Sequence, residues 1–251
     1  SGGNAGIQAD IRAFHVFGLH ACTAITALTA QNPFGVRAVM TPDPAFVVQQ
    51  LDAVLEEYDI AAAKTGMLAS AGVVAAVADR LGRHRGLRIV VDPVMVATSG
   101  AKLLEDAAID AMRERMLPLA VLTTPNLPEA SVILGRDVRT KADMEAAARD
   151  IHAQFGCAVL VKGGHHAEDA AADVLVDGGE PVWFSTPVVA NPLSTHGTGC
   201  SLSAAIAASL ARGRNLREAV GEGKAYVYDA IRCGVRVGLR ATVLGTPAPR
   251  R

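Results

Sequence analysis

Three short apolar runs, Leu87 to Val91, Ala120 to Thr123 and Ala158 to Lys162, each end at polar residues: Asp92-Pro93, Thr124-Pro125-Asn126 and Lys162-Gly163-Gly164. Such runs read as strands buried on both faces, and between them lie longer segments with helical spacing. That alternation builds a parallel sheet with helices on its faces. The rest of the chain follows it. Cys22 to Ala30 reads as a strand. Asp43-Pro44 is an N-cap and first-turn pair opening a helix through Val47, Val48, Leu51, Val54 and Leu55. A strand over Ile60 to Thr65 and a helix over Ala71 to Leu81 come next, and further helices are expected over Asp106 to Met116, Leu127 to Leu134 and Lys141 to Phe155.

Val174 to Val176 and Val182 to Phe184 flank Asp177-Gly178-Gly179-Glu180, a turn sequence that predicts an antiparallel hairpin on an otherwise parallel sheet. Two helices should close the chain, one from the glycines at 197 to 199 and one from Asn215, whose Glu218 suggests a capping box. The tail Gly245 to Arg251, with its two prolines, is expected to fray. The expected fold is a three-layer αβα sandwich in one domain over residues 1–251. Half of the 251 residues are hydrophobic, enough for one large core.

A net charge of -1 and the lack of a basic patch argue against nucleic acid or anionic lipid as a partner. The longest apolar stretches are broken before the length of a membrane span. Cys22, Cys157, Cys200 and Cys233 are widely separated, with no zinc or disulfide spacing, which suits a reduced, cytoplasmic compartment.

The sharpest chemical signal is Thr195-His196-Gly197-Thr198-Gly199-Cys200, which runs into an Ala-rich segment, Leu202 to Leu210. A glycine turn entering a helix presents unpaired N–H groups and the positive end of the helix dipole, which suits a phosphoryl group. In that first turn the Cys200 thiol pKa is expected to fall from about 8.5. A lone glycine turn with a packing cysteine would read the same way, so the other strand ends matter. Asn126 and Glu129 follow one apolar run and Asp92 another, at the rim where ligands of open α/β sheets collect. Glu129 and Asp92 suit magnesium held through water, although Glu129 also fits the first turn of a helix. Lys162 suits nucleotide phosphate, or is a solvated strand-end charge. His165, His166 and His196 have no metal spacing and read as surface or supporting groups.

At the start, Ser1 to Asp10 is a glycine-rich loop leading into an amphipathic helix; a flexible terminus would have the same composition. Thr29-Ala30-Gln31-Asn32 offers amides to a neutral heterocycle, or simply a turn. There is no Gly-x-x-x-x-Gly-Lys-Ser/Thr, so phosphate handling is not of the P-loop type.

In order along the chain, Ser-Gly-Gly…Ala-Gly-Ile-Gln-Ala-Asp, Thr-Ala-Leu-Thr-Ala-Gln-Asn, Lys-Thr-Gly-Met-Leu, Val-Asp-Pro-Val-Met, Thr-Pro-Asn-Leu-Pro-Glu, Val-Lys-Gly-Gly-His and His-Gly-Thr-Gly-Cys resemble the hydroxymethylpyrimidine/phosphomethylpyrimidine kinase family. The resemblance covers nearly the whole chain. It implies a ribokinase-like fold, magnesium-ATP as donor, and two successive phosphorylations of 4-amino-5-hydroxymethyl-2-methylpyrimidine for thiamine biosynthesis. It also implies a homodimer. Matched residue by residue, Gln31 binds the pyrimidine, Met67 and Val94 line its pocket, and Gly6 and Asp10 lie at its edge. Asp92, Asn126 and Glu129 face phosphates and magnesium, with Glu129 and Asp92 on the metal. Lys162, Thr195 and the turn Gly197, Thr198, Gly199 contact ATP, and Cys200 holds the position of the catalytic base.

Two rival readings share these residues: a pyridoxine/pyridoxal kinase, with the same fold and donor, and a non-catalytic pyrimidine-binding relative. Members of the family normally carry a strand before the first motif. A sheet position without it would leave ladder groups unpaired and part of the pocket open.

Overall fold

The computed structural model describes residues 2–95, 106–164 and 171–250. Helix α1 (Ile7–Val16) follows the glycine-rich start, and strands β1 (Leu28–Asn32) and β2 (Gly35–Met40) form a separate hairpin. Then come α2 (Pro44–Leu55), β3 (Ala62–Thr65), α3 (Ala71–Leu81), β4 (Arg88–Val91), α4 (Asp106–Ala111), β5 (Leu122–Thr123), α5 (Leu127–Leu134), α6 (Lys141–Phe155) and β6 (Ala158–Lys162). Strands β7 (Ala172–Val176) and β8 (Val182–Ser185), helices α7 (Thr198–Ala211) and α8 (Leu216–Arg232), and the short pair β9 (Val235–Arg236) and β10 (Thr242–Val243) complete the chain.

The main sheet has the order β3-β4-β5-β6-β7-β8. Its first four strands are parallel, whereas β7 and β8 return antiparallel as the expected hairpin. Period-two alternation sorts the strand residues between two cores. Ile89, Val91, Val159 and Val161 face α3 and α6 through Val73, Val77, Ala147 and Ile151. Val90, Leu122 and Leu160 face α7 and α8 through Leu202, Ile206 and Val220. Helix α1 lies against the far side of α7, where Ala13 and Val16 meet Ala204 and Ala208. Ser201 through Leu210 are therefore all buried, and the alanines and serines of α7 let three neighbours approach at once.

Local chemistry fixes the ends of these elements. Asp43 accepts a hydrogen bond from the Ala45 N–H at the start of α2. Capping boxes open α5 (Asn126 with Glu129), α6 (Thr140 with Asp143) and α8 (Asn215 with Glu218).

Three expectations need correction. The strand read at Cys22 to Ala30 is found at Leu28–Asn32, paired to a strand, β2, whose mixed Gly-Val-Arg-Ala-Val-Met sequence gives no clean alternation. The helix expected over Asp106 to Met116 is α-helical only to Ala111 and continues as a wider π-type turn, Met112–Met116. The tail is not frayed to residue 250. The Arg250 N–H donates to the Val16 carbonyl, its guanidinium meets Asp229 at 2.6 Å, and Arg212 donates to its carbonyl.

Strand β3 pairs with β4 on one side and, among the described residues, with no strand on the other. A cavity runs along that open edge, between Leu51 and Leu55 on one face and Phe14 and Leu202 on the other. Among the described residues no helix is long and apolar enough to cross a membrane.

Candidate active site

The parallel strands deliver their C-terminal ends to one rim, where the cavity that runs along the β3 edge opens among them. Lys64 is the last residue but one of β3, Asp92 follows β4, Asn126 lies just beyond β5, and Lys162 ends β6. Beyond Thr123 the chain keeps its register: the Lys162 N–H donates to the Pro125 carbonyl at 2.8 Å, and Asn126 bridges to Lys162. That bridge holds Asn126, Glu129 and Lys162 together.

Asp92 is the hub. Its Oδ1 accepts from Lys162 Nζ at 3.0 Å and from the Thr124 hydroxyl at 3.2 Å, and its Oδ2 lies 3.1 Å from Ser203 Oγ. Ser203 Oγ is also 3.1 Å from the Gly199 and Cys200 carbonyls, so the hub is tied to the first turn of α7. Glu129 stands 3.9 Å from Lys162 Nζ. Its Oε2 accepts the Asn126 N–H at 2.8 Å and completes the capping box.

The glycine turn lies above this hub. Gly197 has φ 91°, and a Cβ there would fall 1.9 Å from the Asn4 carbonyl oxygen. Only glycine fits both that backbone and that contact. No side chain caps α7, and the Thr198 N–H turns back to the Thr195 carbonyl, so the N–H groups that follow it in the first turn face a ligand. The Thr195 carbonyl accepts the Thr198 hydroxyl at 2.9 Å. The N-terminal loop is fixed rather than flexible: Asn4 Nδ2 donates to the Thr242 carbonyl and Arg12 donates to that of Gly3.

Opposite the hub is a less charged wall. Gln31 Nε2 is 3.5 Å from His196 Nε2, and Gln31 Oε1 accepts from the Thr29 hydroxyl at 3.2 Å. Met67 and Val94 line the cavity beside them, and the Thr26 hydroxyl holds the Met67 carbonyl. At the edge, both oxygens of Asp10 lie 3.0 Å from Lys64 Nζ. Gly6 and Cys200 complete the same lining.

Electrostatics divide the groups. Burial raises the Asp92 pKa, but Lys162, Lys64 and the hydrogen bonds from Lys162 and Ser203 outweigh it and hold Asp92 ionised. Burial pushes Glu129 up to about 7, against the pull of Lys162. Burial lowers His196, so its ring is neutral beside Gln31. Burial also raises Cys200, with Lys64 and a hydrogen bond from Gly6 pulling the other way and Asp92 and Asp10 adding to the rise. The expectation of a lowered thiol pKa is thus corrected: desolvation wins over the helix terminus.

Every site residue read from the sequence, from Gly6 to Cys200, lines this cavity. His165 and His166 lie outside the described residues. Residue patterns alone missed Lys64, which stood out only within a family motif, and Ser203, whose place one turn after Cys200 was the available clue. They also missed the partnership of His196 with Gln31. An ion pair went unread as well: Lys224 meets Asp173 at 2.8 Å, and Asp173 accepts the Gly163 N–H, which fixes the turn after Lys162.

The sheet rim, glycine turn and cation-carboxylate hub, with no P-loop, define a small-molecule phosphotransferase with a ribokinase-like fold. The chain belongs to the phosphomethylpyrimidine kinase family, whose model matches residues 1–244. The hydroxymethylpyrimidine/phosphomethylpyrimidine kinase of Rhizobium meliloti is 46% identical over 238 residues, covering 94% of this chain and 89% of that one. A bifunctional thiamine biosynthesis protein of Geobacter sulfurreducens is 43% identical over 95% of this chain, which spans 48% of that longer protein. Among solved structures, a Bacillus subtilis pyridoxal kinase in complex with ADP superposes with TM-score 0.90 at 33% identity, covering 98% of this chain and 93% of that one. A phosphomethylpyrimidine kinase of Clostridium difficile 630 gives 0.81 at 36% identity, covering 92% and 94%.

Proposed function

We propose that this protein transfers the γ-phosphoryl group of ATP to the hydroxymethyl oxygen of 4-amino-5-hydroxymethyl-2-methylpyrimidine, and then a second one to the monophosphate, giving the diphosphate used in thiamine biosynthesis. The observation that carries this reading is the position of Cys200. It follows the glycine turn directly and shares one cavity with the Asp92–Lys162 hub and the Gln31 wall.

In the first transfer the substrate oxygen attacks the γ-phosphorus in line. Cys200 as thiolate takes the hydroxyl proton, and the bond to ADP breaks. The N–H groups of the Gly197 to Cys200 turn and the Lys162 ammonium meet the charge that spreads over the phosphoryl oxygens. Gln31 holds the heterocycle by its side-chain amide, and Met67 and Val94 give its ring an apolar seat.

Among the described residues no cluster of His, Cys, Asp and Glu has the three members a protein-caged ion needs. The pair Asp92 and Glu129 would suit magnesium held largely through its own water. When bound, it would supply charge neutralisation to the nucleotide phosphates. Glu129→Gln keeps an oxygen for the Asn126 N–H, so the fold should survive. The magnesium concentration for half-maximal rate should rise about tenfold, as when a supporting carboxylate is removed from a metal. A magnesium titration of initial rate checks this.

Because burial raises the Cys200 thiol, the protonated form prevails at neutral pH and deprotonation accompanies a rise in pH. The first-step kcat/KM should therefore climb from pH 7 to 9 in the wild type and stay flat in Cys200→Ala. A profile with no rise would exclude the thiol as base.

The functional reading itself is tested by initial rates on the pyrimidine, its monophosphate and pyridoxal. Both pyrimidines should be accepted, and faster than pyridoxal; a preference for pyridoxal would replace the reading by that of a pyridoxal kinase. Binding of the pyrimidine with no ATP turnover would favour a non-catalytic relative.

A further inference from the structure

Three lysines line the cavity, and Lys64 and Lys162 stand in unlike charge surroundings, while Lys224 is tied to Asp173 at 2.8 Å. Lys162 is shared by Asp92 and Glu129 on the side of the α7 turn. Lys64 stands at the end of β3, and among the described residues Asp10 is its single ion-pair partner. An ammonium has three N–H donors, and the Asp10 oxygens, both at 3.0 Å, take two directions. The side chain is held firmly: it is 2% exposed, and a Cβ on Gly66 would lie 3.2 Å from Nζ. Both Asp10 and Lys64 line the cavity with Cys200.

The two acceptors of the proposed reaction differ most in charge. The alcohol is neutral, whereas the monophosphate enters as a phosphate ester close to a dianion. The rim already holds Asp10, Asp92 and Glu129, so a second anion on the acceptor side is repelled unless a cation meets it. Lys162 is committed to two carboxylates, and Lys224 to Asp173 and the Ala171 carbonyl. Lys64, committed to one, is the cation placed on the acceptor side.

We propose that Lys64 is the specificity residue of the second transfer, its Nζ holding a non-reacting oxygen of the acceptor phosphate while contributing little to the first. This rests on the function proposed above. In the second transfer an oxygen of the monoester donates its electron pair to the γ-phosphorus, forming the P–O–P bond. The bond from that phosphorus to the β–γ bridging oxygen breaks, and its electron pair leaves with ADP. The attacking oxygen is already ionised, so no proton is removed and Cys200 is not required as base.

The test is calorimetric titration of wild type, Lys64→Met and Lys64→Arg with the pyrimidine alcohol and its monophosphate, without nucleotide or metal. Lys64→Met should bind the monophosphate about 10- to 100-fold more weakly and change alcohol binding by less than about threefold, the span set by one charge-assisted hydrogen bond. Lys64→Arg should restore most of the difference. With ATP present, Lys64→Met should accumulate the monophosphate. Because Lys64→Met strands the Asp10 carboxylate, Asp10→Asn/Lys64→Met provides the version without that buried charge, and it should show the same preference for the alcohol. Equal losses on both ligands in this double variant, or undiminished monophosphate binding in Lys64→Met, overturn the assignment. A wild type that phosphorylates neither compound removes the functional reading and the assignment with it, whereas wild-type turnover of both with equal losses in the variants removes the assignment alone.

Discussion

Cys200→Ala should slow the first phosphorylation by about 10²–10⁴-fold, the range associated with loss of a general base, and should slow the second much less. The difference follows from the acceptors. A hydroxymethyl oxygen must give up a proton as it attacks, and the thiol one residue beyond Gly199 is the group placed to receive it. A phosphate oxygen needs no such help. The substitution removes one sulfur from a helix packed through Leu202 and Ile206 on the sheet and Ala204, Ala205 and Ala208 on α1, so the fold should hold. Single-turnover rates on each acceptor give the comparison. A first-step loss of only a few fold, or equal losses in both steps, would exclude the base role.

Gly197→Ala should abolish both phosphorylations. The left-handed backbone at φ 91° costs a side-chain-bearing residue roughly 1–2 kcal/mol. The decisive effect is steric: the new Cβ would lie 1.9 Å from the Asn4 oxygen, so either the glycine turn or the N-terminal loop must move. That movement dismantles the amide cradle and displaces Gly6 from the Cys200 sulfur. Gly213→Ala is the control. It has φ 85° but nothing within 4 Å of its Cβ, so it should lose about the same backbone energy and keep its rate. Gly197→Ala activity within tenfold of wild type would show that the turn does not position the phosphoryl group.

These two effects locate what the sequence made legible. Helices α5 and α6 were readable to the residue because their caps are chemical: an amide or hydroxyl before the helix, an acid three positions on, and a glycine after the end. Strand β6 was equally plain as an apolar run ending in a lysine. The β1–β2 hairpin was not, because it lies outside the main sheet and no buried face imposes alternation on it. The tail was misread since its anchors, Val16, Arg212 and Asp229, are distant in sequence and leave no local trace.

The site shows the same division. Asp92, Asn126 and Lys162 could be found as polar residues at the ends of apolar strands, and the glycine turn by its composition. Pairings across the fold could not: Lys64 with Asp10, Gln31 with His196, and Ser203 with Asp92 join segments far apart in the chain. The Cys200 pKa was misjudged for a related reason. The helix terminus is visible in the sequence, but the burial that outweighs it belongs to the packing of α1 and the N-terminal loop over α7.

The most direct measurement is a time course of products from the pyrimidine alcohol with ATP, resolved by ion-exchange chromatography. The monophosphate should rise first and then fall as the diphosphate takes its place, with one ADP formed per phosphoryl group transferred. A reaction that stops at the monophosphate would contradict a single cavity serving both acceptors, and no transfer to the alcohol would contradict the account as a whole.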